Sequence, residues 1–108
     1  MDKTPPPAEY AALVESLLAG HPELTSGSIF GVPCVKRGGK PFISSYAGGA
    51  VFKLSGEAHQ TALGLPGAAL FDPSGRGRPM RAWVLVPVRE CEQWPRLADA
   101  ALSSEARA

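Results

Sequence analysis

The hydrophobic pattern of the chain opens on a helical stripe. Tyr10, Leu13, Val14, Leu17 and Leu18 recur at i, i+3, i+4, i+7 and i+8, which places them on one face of a helix. Pro7 suits the first turn of that helix, and Gly20 followed by His21-Pro22 stops it. From Ser28 the period shortens. Ile29 to Arg37 reads as a strand kinked at Gly31 or Pro33, since proline has no N–H to give a ladder. Gly38-Gly39 is a two-residue hairpin signal, and Lys40 to Tyr46 is the returning strand. Alternation puts Phe42, Ser44 and Tyr46 on one face of it and Ile43 and Ser45 on the other. Gly48-Gly49 repeats the turn and leads into Ala50-Val51-Phe52-Lys53-Leu54.

The second half reads in the same way. Ser55 is a candidate N-cap for a short helix, Glu57 to Leu63, ended by Gly64. A brief strand, Ala68 to Phe71, meets the turn signal Asp72-Pro73-Ser74-Gly75, and Pro79 to Val86 is the last strand. Trp94, Leu97, Ala98, Ala101 and Leu102 then return to helical spacing. Pro95 is tolerable only in the first turn, so this helix should begin near Glu92. The order α-β-β-β-α-β-β-α predicts a two-layer α+β fold with a mostly antiparallel, five-stranded sheet and both terminal helices on one face. Its expected core is Leu13, Leu17, Phe42, Phe52, Val84 and Leu97.

The last strand changes the picture. Met80, Ala82, Val84 and Val86 fall on one face and Arg81, Trp83 and Leu85 on the other, so both faces carry large apolar groups. One layer of helices covers only one of them. Trp83 and Leu85 are therefore the candidate interface, and a homodimer formed sheet face to sheet face is the expected partner arrangement.

Composition narrows the class. A chain of 108 residues, 44% hydrophobic and 19% charged, is a single globular domain (residues 1–108) rather than a disordered one. Its ordered core is expected over roughly 8–103. A net charge of +1 is no footprint of a dedicated nucleic-acid or membrane protein. The stretch Met1 to Pro7 has no apolar h-region and no apolar run is long enough to span a bilayer, so a cytoplasmic chain is expected. Cys34 and Cys91 stand apart, without metal spacing, and read as reduced core residues.

With the elements placed, several short motifs come together. They are Phe30-Gly31, Gly39-Lys40-Pro41-Phe42, Phe52-Lys53-Leu54, Phe71 before a glycine-bearing turn, and Gly77-Arg78-Pro79-Met80-Arg81-Ala82-Trp83 closing at Val86-Pro87. In this order they resemble the N-terminal domain family of TfoX/Sxy proteins, from Tyr10 to Leu102. The resemblance implies a two-layer α+β fold similar to that of secretion chaperones, and it brings no catalytic residues with it. Regulation of competence is not carried over, because this chain ends soon after the first domain. The related YjbR-type domains suggest DNA as an alternative partner.

The residues that bear on that alternative are Arg76, Arg78 and Arg81, near Trp83, with Lys36 and Lys40 beside the first Gly-Gly turn. Arginine forks grip phosphates and an indole stacks on bases. The small net charge argues for the plainer view, in which these cations keep hairpins soluble. Gly75-Arg76-Gly77-Arg78 precedes a strand rather than a helix, unlike a phosphate loop. A nucleophile pair of Cys34 and His59 is a remote enzymatic option. The expectation is a non-enzymatic domain with no cofactor, no metal and no membrane partner, acting through protein contact or self-association.

Overall fold

Six strands rather than five build the sheet of this α+β fold. A computed structural model describes residues 6–29, 32–46, 48–72 and 80–106. Helix α1 (Ala8–Gly20) is followed by strands β1 (Leu24–Ile29), β2 (Val32–Arg37), β3 (Lys40–Tyr46) and β4 (Gly49–Lys53). Helix α2 (Gly56–Leu63), β5 (Ala69–Phe71), β6 (Met80–Val86), a 3₁₀ segment (Val88–Gln93) and α3 (Trp94–Ala106) complete the order. The sheet runs β1-β2-β3-β4-β6-β5, with every neighbouring pair antiparallel.

The extra strand corrects the single kinked strand expected from Ile29 to Arg37. Leu24–Ile29 and Val32–Arg37 are two strands of a hairpin, registered from Leu24 against Arg37 to Ile29 against Val32. Phe30 and Gly31 lie outside the described residues. The sequence Leu24-Thr25-Ser26-Gly27-Ser28 hides its strand character because it sits at the sheet edge. Of those five residues only Leu24 is buried, so no apolar alternation is needed.

The turn chemistry is as expected at the first Gly-Gly pair. Gly38 and Gly39 have φ of 59° and 81°, the two positive values that a type I′ hairpin requires. Gly49 has another role. A Cβ there would stand 2.6 Å from the Val86 carbonyl oxygen, so glycine lets β4 and β6 approach. Ser55 occupies the N-cap of α2, but its side chain makes no capping hydrogen bond. Pro95 is the second residue of α3, where its missing N–H costs nothing, and the helical path begins earlier as the 3₁₀ segment.

All three helices lie against one face. Leu13 and Leu17 of α1, Ala62 of α2, and Trp94, Leu97 and Ala98 of α3 form one buried cluster with Val35, Phe42, Ile43, Phe52 and Val84. The six expected core residues all belong to it. One face assignment changes. Cys34 pairs with Ser44 and Val35 with Ile43, but Lys36 pairs with Pro41, so Phe42 is the extra residue of a β-bulge. The bulge turns Phe42 to the helical side with Ile43, while Tyr46 packs on the opposite side.

That opposite side is also closed. Val51, Phe71 and Trp83 form a second cluster and are 0, 1 and 7% exposed. Phe71 lies between two rings, with centroids 4.9 Å from Tyr46 in a T-shaped contact and 6.5 Å from Trp83. The cover expected from a second copy is therefore already present within one chain. Trp83 is a core residue of this second cluster and Leu85 is half-buried beside it.

Candidate functional site: a groove between the terminal helices

Helices α1 and α3 both rest on the sheet without packing closely on one another. Between them lies a groove of about 420 Å³, within the range of ligand-sized pockets. From α1 it is walled by Glu9, Ala12, Leu13, Ser16 and Leu17, which follow one another at helical spacing. The far wall is Cys91 in the 3₁₀ segment with Trp94, Pro95 and Asp99 of α3. Leu13, Leu17 and Trp94 are core residues whose edges form the floor, and the small Ala12 and Ser16 leave the space open.

The electrostatics of the groove have one sign. Glu9 and Asp99 are exposed carboxylates, and among the described residues no Lys, Arg or His lines the space. Trp94 adds a polar anomaly. Its Nε1–H is buried and, among the described residues, is the side-chain polar atom left without a hydrogen-bond partner. Cys91 is half-buried, whereas Cys34 is 1% exposed.

Sequence reasoning did not find this groove, since Leu13 and Leu17 read simply as core and Trp94 as one member of the last helix's stripe. The available signal was the stripe Glu9, Ala12, Ser16, offset by one residue from Tyr10, Leu13, Leu17. Small and acidic residues beside a core stripe mark a helix flank that is not packed against a neighbour.

The cations expected to act together share one end of the sheet. β2 ends there with Lys36 and Arg37, β3 begins there with Lys40, β4 ends with Lys53, and β6 begins beside Arg81. Lys40 and Arg81 are exposed and Lys36 is half-buried, its stem lying over Gly27. Glu23, Glu57 and Asp72 adjoin strand ends on that side, so among the described residues five cations there stand against three carboxylates. Arg76 and Arg78 lie outside the described residues.

Cys34 and His59 are not brought together as a pair. Cys34 sits in β2, with β3 and β4 between it and β6. His59 of α2 donates from Nε2 to the Arg81 carbonyl of β6, at 2.6 Å. Burial pushes the Cys34 thiol up, with Lys36 pulling the other way, which is opposite to what a nucleophile needs. Burial, and secondarily Cys34, also raises Tyr10, whose hydroxyl donates to the Pro33 carbonyl at 3.3 Å.

Both groups bind protons more tightly when folded than when unfolded. Their contribution to stability is complete below the ordinary thiol pKa of about 8.5 and is lost as pH rises beyond it. The urea midpoint should fall steadily between about pH 8.5 and 11, and by less in Cys34→Ala. A midpoint that stays level across that interval would contradict the assignment.

Among the described residues no group of three His, Cys, Asp or Glu is placed to hold a metal ion. No described helix is long and apolar enough to cross a membrane. Comparison with known proteins finds no matching family model, no matching curated protein and no matching solved structure.

Proposed function

We propose that this chain is a non-enzymatic contact domain that seats an apolar, positively charged segment of another protein in the groove between α1 and α3. The observation that carries the reading is the groove itself, an apolar space of about 420 Å³ rimmed by Glu9 and Asp99. Its floor rewards burial of a Leu, Phe or Met side chain at about 25 cal/mol per Å² of apolar surface. Its rim selects Lys or Arg on either side of that anchor, because opposite charges attract across an interface and an acidic segment would be repelled. Trp94, whose Nε1–H has no hydrogen-bond partner among the described residues, belongs to the same wall. The resemblance to TfoX/Sxy N-terminal domains agrees with a domain that works by contact and adds no catalytic residue.

The partner segment can be found by selection. Random peptides displayed against the native protein should enrich for an aromatic or aliphatic anchor flanked by Lys or Arg. Ser16→Trp plugs the groove from an exposed helical position and should weaken the enriched peptide by about tenfold or more. Bound peptide should also slow alkylation of Cys91 by iodoacetamide. Peptides indifferent to Ser16→Trp, with Cys91 labelling unchanged, would remove the groove as the site.

A second reading is phosphate contact at the sheet end that gathers Lys36, Lys40 and Arg81. Five cations against three carboxylates make a weak field for a polyanion. Submicromolar oligonucleotide binding at physiological salt, falling steeply as salt rises, would move the function to that end.

A further inference from the structure

The two edges of the sheet are unlike. β5 closes one side with three residues and an irregular register against β6. β1 closes the other with six residues, evenly paired to β2 on one side and, among the described residues, with no strand on its other side. Thr25, Ser26, Gly27 and Ser28 are all exposed; the Lys36 stem lies over one face of Gly27, and among the described residues no strand covers the outer edge. Edge strands are ordinarily blunted by a charge, a proline, a bulge or a covering element. β1 reads Leu24-Thr25-Ser26-Gly27-Ser28-Ile29, without charge, proline or register shift.

The direction of the free backbone groups can be read from the ladder. Pro33, opposite Ser28, has no N–H to give, so Ser28–Pro33 is a non-hydrogen-bonded pair and Ile29–Val32, next to it, a hydrogen-bonded one. Alternation then aims Gly27 and Thr25 at β2 as well, leaving Leu24, Ser26 and Ser28 aimed at the free edge. The Leu24 N–H agrees, since it bonds back to the His21 carbonyl at 3.0 Å. Ser26 and Ser28 thus offer their N–H and C=O groups outward from a strand of small side chains.

We propose that β1 pairs antiparallel with β1 of a second copy about a two-fold axis at Ser26, joining two six-stranded sheets edge to edge. In that register Ser26 faces its own counterpart, Leu24 faces Ser28 of the partner subunit and Thr25 faces Gly27 of the partner subunit. The register keeps the helix-covered face of one sheet continuous with that of the other, which a one-residue slip would invert. A second copy fits better than a foreign strand because the edge is complementary to itself. The facing β1 residues carry no charge, and a two-fold pairing uses the same surface twice. The inference is independent of the groove, which lies on the helical layer.

Sedimentation equilibrium at micromolar to tens of micromolar concentration should give a dimer mass. Ser26→Pro removes an N–H aimed at the edge, where proline is tolerated in a strand, and should raise the dissociation constant about tenfold or more. Circular dichroism of this variant checks that the fold is kept. In a Cys91→Ser background, Ser26→Cys should form an intermolecular disulfide on mild oxidation. Residues hydrogen-bonded opposite each other have Cα atoms about 5.5 Å apart, within disulfide reach. Thr25→Cys, facing glycine, should link far less. A native monomer without the Ser26→Cys link overturns the proposal. So does a dimer that survives Ser26→Pro, or a monomer that instead accepts a foreign extended peptide at β1.

Discussion

Trp83→Ala lowers the stability of the fold by about 3–5 kcal/mol and leaves the mass of the particle in solution unchanged. The indole is 7% exposed and closes the cluster of Val51 and Phe71 on the sheet face away from the helices. Removing it leaves a cavity against Phe71, whose centroid lies 6.5 Å away, and strips the indole contact from that ring. β6 is the fifth strand of the sheet counted from β1, so the edge proposed for pairing is not touched. Urea denaturation followed by circular dichroism measures the first effect and sedimentation equilibrium the second. A variant with wild-type urea midpoint that falls from dimer to monomer would restore Trp83 to the interface role expected from its sequence position.

Phe42→Ala should cost a comparable amount, about 3–5 kcal/mol, a large share of the roughly 5–15 kcal/mol that a domain this size holds in reserve. Phe42 is fully buried and sits at the bulge, where it and Ile43 both enter the helical core. Ala in its place leaves a void that the bulged backbone cannot close without shifting the register of β2 on β3. Tyr46→Ala, at a half-buried position on the other face, should cost clearly less. Urea midpoints of the two variants decide it. Equal losses, or a loss below about 1 kcal/mol for Phe42→Ala, would remove the bulge from its part in the core.

Much of the architecture was legible because local rules and burial agree along most of the chain. The stripe from Tyr10 to Leu18 needs one covered face, and Gly38-Gly39 supplies the positive φ that joins β2 to β3. All six expected core residues are buried for the same reason. The groove was not legible in this way. Leu13, Leu17 and Trp94 serve as core and as groove floor at once, and periodicity sees only the first use.

Hydrophobic periodicity and turn chemistry thus determined, from the sequence by itself, the α+β class, the antiparallel pairing of β2 with β3, β3 with β4 and β5 with β6, and the covering of one sheet face by helices. These are properties of a residue and its near neighbours in the chain. Three others depend on which distant segments meet. β1 is a strand because β2 offers it a ladder, not because Thr25 to Ser28 carry a strand pattern. Phe42 faces inward because a bulge between β2 and β3 breaks the alternation. Trp83 is core because Phe71 and Val51, remote in sequence, meet it on the face that alternation left open. Pairing and packing between distant segments are decided by tertiary contact free energy, which no local window of residues contains.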